Sequence, residues 1–188
     1  FKMIRINTVQ VTTKWQDSVL VKMYLDIPLK TLQFVKGNNT FFAGYEAQIA
    51  VMSKKGKLLH KNTWTDSIQV QNYIETIKKT ETITLFTEKI IPVNKYVVMA
   101  TVLDFESREF HKVNQDLKLE VSQIPFIRKP VILLEKPGNW GFNPDLIPSW
   151  NYFLSSGKDS VSLFISGFSH ADNCELEWKI VSKIGKEQ

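Results

Sequence analysis

The sequence predicts an all-β protein: an immunoglobulin- or fibronectin-like antiparallel sandwich followed by a second, smaller or incomplete β module. Three observations predict it. Apolar and polar residues alternate with a period of two, turn residues interrupt the alternation at fairly regular spacing, and helix signals are scarce. The size agrees, since 188 residues with 43% apolar and 23% charged side chains make an ordinary globular chain able to bury a sizeable core.

The first strand candidate is Met3–Val11. In the second, Val19, Val21, Met23, Leu25 and Ile27 alternate with Leu20, Lys22, Tyr24 and Asp26 until Pro28 ends the run. The third alternates from Phe41 to Val51 and runs into Ser53-Lys54-Lys55-Gly56, a turn signal, followed by the apolar pair Leu58-Leu59. Two such runs around a Gly-containing turn predict a hairpin. Ile68–Tyr73, Thr82–Ile91, Tyr96–Asp104 and Leu117–Val121 follow, rich in residues that suit a half-buried pleated surface. The best helix signal, 74–79, is too short to hold as an isolated helix.

Within "IPVNKYVVMATVLDFES", Tyr96, Val98, Ala100 and Val102 share one face, and Val97, Met99, Thr101 and Leu103 share the other. Both faces are apolar, which predicts a central strand covered on both sides, or covered on one and contacted by a neighbouring module. Asp104 ends the strand, because a carboxylate enters a dry interior only with partners. Asp104 and Glu106 are expected to alternate outward into solvent.

Residues 1–123 supply roughly seven strands, enough for one sandwich. Ile124-Pro125 marks the boundary, since proline interrupts a ladder, and Pro130 delays further pairing. Residues 124–188 carry only Val131–Leu134, Val161–Phe168 and Leu176–Val181. This second module is therefore expected to pack on the first, to lack residues, or to borrow a strand from another chain.

The chemical motifs are thin. His60, His111 and His170 stand apart, and no phosphate loop, dinucleotide fingerprint or Gly-x-Ser-x-Gly occurs. "SHADNCELE" holds His170, Asp172, Cys174 and Glu175, side chains that zinc accepts, and a Cys174–His170 dyad is conceivable. A polar hairpin loop with one incidental thiol explains the same residues. No catalytic residue, cofactor or metal site is assigned, and the chain is not expected to be an enzyme.

The net charge of +5 comes from Lys and Arg spread along the chain rather than from a basic stripe, so nucleic acid is not an expected partner. Asn38-Asn39-Thr40 matches the glycosylation pattern and suggests an exposed loop. The apolar runs fall far short of a membrane-spanning helix, which leaves peripheral membrane association open.

The region 136–153, "KPGNWGFNPDLIPSWNYF", is the candidate binding segment. Trp140, Phe142, Trp150, Tyr152 and Phe153 sit among prolines and glycines, and rigid aromatic side chains anchor protein partners at low entropic cost. The same residues would equally plug the junction between the modules. Trp140 and Trp150 would alternatively form a sugar-stacking platform, making the chain a carbohydrate-binding module.

The layout resembles the N-terminal sandwich region of bacterial GWxTD-domain proteins. The matching stretches are "DSVLVKMYLDIPLKTLQF", "FFAGYEAQIAVMSKKGKLLHKNTWT", "IPVNKYVVMATVLDFES" and "VILLEKPGNWGFNPDLIP". The Gly-Trp-x-Thr-Asp signature itself is absent, and "NTWTD" at 62–66 lacks its glycine and spacing. The resemblance implies an extracytoplasmic bacterial β-sandwich protein of no established activity, and carries over no functional residue. The chain is expected to be a structural or interaction subunit of a cell-envelope assembly, periplasmic or at the cell surface. Its partners would be other protein chains. The single Cys174 permits no internal disulfide, and Phe1, if a natural start, would not carry a lipid as an N-terminal cysteine does.

Overall fold

The computed structural model describes residues 4–12, 17–77 and 81–120, together with 126–127, 131–134, 161–164 and 167–168 as paired strands. The first eight strands are β1 (Arg5–Thr12), β2 (Ser18–Pro28), β3 (Val35–Lys36), β4 (Phe41–Ser53), β5 (Leu58–Val70), β6 (Thr82–Pro92), β7 (Lys95–Asp104) and β8 (Phe110–Lys118). A 3₁₀ turn, Leu29–Thr31, follows β2, and a single helical turn, α1 (Tyr73–Ile77), follows β5.

Every pairing is antiparallel. One sheet has the order β1-β2-β6, with Arg5 opposite Asp26 and Tyr24 opposite Phe86. The other has the order β5-β4-β7-β8, and the short β3 continues the β7 edge of β4. Three strands against four, with β5 in the sheet of β4, β7 and β8, make the fibronectin-like form of the immunoglobulin-like sandwich.

Two-residue alternation builds the core. Val21, Met23, Leu25 and Ile27 of β2 face Ala47, Ile49 and Val51 of β4 and Val98, Ala100 and Val102 of β7, and all are excluded from solvent. Burying each of the larger side chains contributes about 1.5–3 kcal/mol. At the start of β7 the Tyr96 hydroxyl donates to the Pro92 carbonyl oxygen at 2.8 Å. This is the tyrosine corner of immunoglobulin-like domains, which ties a strand to the turn before it. Burial raises the Tyr96 hydroxyl above its ordinary pKa, so it stays a donor.

Polar contacts close both seams of the sandwich. On one side Gln10 Nε2 donates to the Lys118 carbonyl oxygen at 3.2 Å, and Gln115 Nε2 to Thr8 Oγ1 at 3.4 Å. On the other His60 Nε2 shares a 3.0 Å hydrogen bond with Thr87 Oγ1. Burial, and then the nearby Lys89, lower the His60 pKa and favour the neutral ring.

The structure corrects three expectations. Leu58-Leu59 and Ile68–Tyr73 belong to one 13-residue strand, β5, which ends at Val70. The eighth strand starts at Phe110, seven residues before the predicted Leu117. Asp104 faces inward and is completely buried. The helix signal at 74–79, judged too short to hold, overlaps a single helical turn, α1. Strand β7 lies between β4 and β8, with its second face half-buried.

Past Glu120 the described strands are β9 (Phe126–Ile127), β10 (Val131–Leu134), β11 (Val161–Phe164) and β12 (Gly167–Phe168). β10 pairs antiparallel with β11, and β9 with β12. No helix among the described residues is long and apolar enough to cross a membrane.

Candidate functional site

Three connections meet at one end of the sandwich: 29–40 between β2 and β4, 71–81 between β5 and β6, and 105–109 between β7 and β8. Asp104 braces two of them. Its Oδ2 accepts from the Gln33 backbone N–H at 2.7 Å and from the Ser107 hydroxyl at 2.8 Å, while Oδ1 accepts from the Glu106 N–H at 3.0 Å. The turn closes through Arg108 N–H to the Asp104 carbonyl oxygen, 3.0 Å, with Arg108 at φ 60°. A buried carboxylate is tolerable because three donors take the place of water.

Phe105 fixes the same turn from outside. Its N–H donates to the Gly44 carbonyl oxygen at 3.0 Å, and its ring lies where a side chain at residue 44 would be. A Cβ on Gly44 would fall 2.9 Å from the ring, so only glycine permits this approach.

The third connection carries α1. Asn72 caps it, its Oδ1 accepting from the Glu75 N–H at 3.2 Å, and the Glu75 carboxylate reaches back to the Gln71 N–H at 3.3 Å and to the Asn72 amide. This is a variant of the capping box, in which N-terminal donors are satisfied reciprocally. Thr76 is buried and donates to the Tyr73 carbonyl oxygen at 2.7 Å. Beneath the loops, the Leu29 N–H donates to the Glu81 carbonyl oxygen at 3.1 Å.

With its polar groups satisfied, α1 turns three large apolar side chains outward. Tyr73, Ile74 and Ile77 are 61%, 66% and 52% exposed. Tyr73 is steadied by the Phe41 ring, with centroids 6.0 Å apart. Phe42 and Phe110, at the same end of β4 and β8, are exposed as well. Single exposed apolar residues are ordinary, but three on one rigid turn form a patch of the kind that buries against a partner.

Trp140, Phe142, Trp150, Tyr152 and Phe153 lie outside the described residues, as do His170, Asp172, Cys174 and Glu175 of the zinc-type loop. Among the described residues no group of three or more His, Cys, Asp or Glu side chains converges as metal ligands. His60 and Asp104 are held in structural bonds, and Asp26 accepts from the Thr84 hydroxyl at 2.8 Å. Burial raises the Asp26 pKa, and the Thr84 bond and Arg5 counter that only in part. The α1 patch escaped sequence reasoning because "NYIETI" reads as a weak helix; the Asn72-x-x-Glu75 spacing was the available signal.

No family model matches the chain, and no curated protein does. Solved structures similar to it include a Bacteroides uniformis β-glucuronidase, at 14% identity and a TM-score of 0.40, over 67% of this chain and 13% of that one. Another is a putative β-galactosidase from Bacteroides fragilis, at 12% identity and a TM-score of 0.41, over 61% of this chain and 16% of that one. The chain thus spans well under a fifth of either protein's length.

Proposed function

We propose that the chain is a non-catalytic binding module of an extracytoplasmic cell-envelope assembly, and that it holds a protein partner through the loop end of its sandwich. The observation that carries this reading is the outward display of Tyr73, Ile74 and Ile77 on a turn fixed by its own cap. Each would contribute about 1.5–3 kcal/mol if fully buried, enough for a small hot spot. The ordering cost is low, because α1 is already shaped before it binds. Support for the address comes from the resemblance to the sandwich region of GWxTD-domain proteins. The buried polar groups agree with a scaffold role, since Asp104, Tyr96 and His60 each serve the fold.

The test is a photoreactive residue placed at Ile74 in the native host, with Thr65 on the exposed face of β5 as the control position. A discrete protein adduct is expected from position 74 and not from 65, and Tyr73→Asp should abolish it. No adduct at 74, or the same adducts at both positions, would refute the reading. Fractionation of the same cells checks the address, which a cytoplasmic pool would contradict.

A further inference from the structure

The outer face of the four-stranded sheet combines charge and exposed apolar groups in a way the linear sequence hides. Lys95 stands directly opposite Lys118, and the register that pairs Ser53 with Tyr96 puts Lys54 beside Lys95. Three lysines from distant parts of the chain thus form one cross-strand row about 10 Å long, given the usual spacing between strands. Lys55 and Lys57 extend it through the β4–β5 turn, and Lys61 and Lys112 lie on the same face further up; all are exposed.

The neighbouring row is apolar for most of its length. Leu58 pairs with Met52, Met52 with Val97, and only Asp116 beyond them is charged. Leu58 is half exposed at one end of the face, with Phe42 and Phe110 at the other. The carboxylates on this face are Glu46, Asp116 and Glu120. Asp116 pairs with Lys54 at 3.4 Å, and Glu120 pairs with Lys118. Lys55, Lys57 and Lys95 have no ion-pair partner among the described residues. Lys54, Lys61, Lys95, Lys112 and Lys118 against Glu46, Asp116 and Glu120 leave the face basic, with Lys55 and Lys57 exposed in the adjoining turn.

Like charges directly opposite each other destabilise a sheet. Lys95 opposite Lys118 is such a pair, and an anionic surface would relieve its repulsion. We propose that this face is a docking platform for an anionic phospholipid surface. The apolar groups favour a bilayer over a soluble polyanion: Leu58, Phe42 and Phe110 can enter the headgroup boundary while the lysine heads meet phosphate oxygens. The proposal stands apart from the loop-end reading, because it uses neither α1 nor a protein partner.

The experiment is co-sedimentation of the full chain with phosphatidylcholine vesicles and with mixed phosphatidylcholine–phosphatidylglycerol vesicles. With each lysine near an anionic surface adding a favourable increment, the mixed vesicles should bind at least about 100-fold more tightly. Salt near 1 M, where charges are screened within about 3 Å, should remove the difference. The variant Lys54→Gln/Lys95→Gln/Lys118→Gln should bind mixed vesicles about 100-fold more weakly. Its melting temperature should stay within a few degrees of the parent's, because the two ion pairs it loses are exposed and the Lys95–Lys118 repulsion goes with them; that separates lost docking from lost folding. Leu58→Ser/Phe110→Ser should also weaken binding. Equal affinity for the two vesicle types, or an unaffected lysine variant, would overturn the platform. So would binding to soluble polyphosphate as tight as to vesicles and indifferent to the apolar variant, which would make the face a polyanion site.

Discussion

At one end of the sandwich the chain reverses through the short connections 54–57 and 93–94; at the other, 29–40 joins β2 to β4, 71–81 joins β5 to β6, and the five-residue turn 105–109 joins β7 to β8. The short reversals are held by their own residues. Gly56 takes φ +81° and its N–H donates to the Ser53 carbonyl oxygen at 2.9 Å, while Tyr96 reaches back four residues to Pro92. The connection 29–40 has a distant brace, Asp104, which reaches Gln33, 71 residues earlier in sequence, whereas α1 in 71–81 is held by its own Asn72 and Glu75 cap. A tight turn needs only a residue suited to its backbone, whereas a long loop stays put only if it trades buried donors with another segment.

The largest effect is expected from removing the brace. Asp104→Ala takes away at once the acceptor of the Gln33 N–H, the Glu106 N–H and the Ser107 hydroxyl. The expected loss is about 3–5 kcal/mol, read as a fall in melting temperature of about 10 °C or more. Asp104→Asn keeps the shape but turns an amide N–H₂ toward donors, so it should recover only part of the loss. If Asp104→Ala melted within a degree or two of the parent, the loop end would be held by something else.

Gly44→Ala tests the same end from its outer face. The new methyl would meet the Phe105 ring at 2.9 Å, and the Phe105 N–H bond to the residue-44 carbonyl keeps that ring from retreating. Overpacking of this kind costs about 1–3 kcal/mol. Gly44→Ala/Phe105→Ala should be less destabilised than the sum of the two single changes, because the clash is gone. Strict additivity in denaturant melts would show that the ring is not the obstacle.

Much of this architecture could be read from the residues because burial writes itself into a period of two. β2, β4 and β7 carry an apolar face toward the opposite sheet, and their bounds fall within two residues of those expected from alternation; β6 places Thr87 and Lys89 among Ile83, Leu85 and Ile91 on that face, and its bounds still follow its run of Thr and Ile. β5 and β8 are edge strands, and their inward positions at the seams include His60, Asn62, Asp66, His111 and Gln115. Polar residues there break the pattern, so β5 read as two fragments and β8 began late. Inward-facing polar groups also guard an exposed edge against pairing with other chains. Asp104 was legible as a strand end but not as a brace, since its partners include a backbone N–H and backbone donors carry no sequence signature. The lysine row was hidden because register, not sequence, brings residues 54, 95 and 118 together.

The smallest effect should come from the short-turn end. Tyr96→Phe deletes a single hydroxyl and leaves the ring in the core. The bond it removes is short, at 2.8 Å, but its acceptor belongs to Pro92, which is exposed, so water can take the vacated position. A bond replaced by water costs about 1 kcal/mol or less, against the three bonds lost together at the fully buried Asp104. The ratio between the two variants in matched melts is therefore the measure of the comparison. A Tyr96→Phe loss equal to that of Asp104→Ala would mean that both ends depend on distant braces, with the tyrosine corner holding more than its own turn.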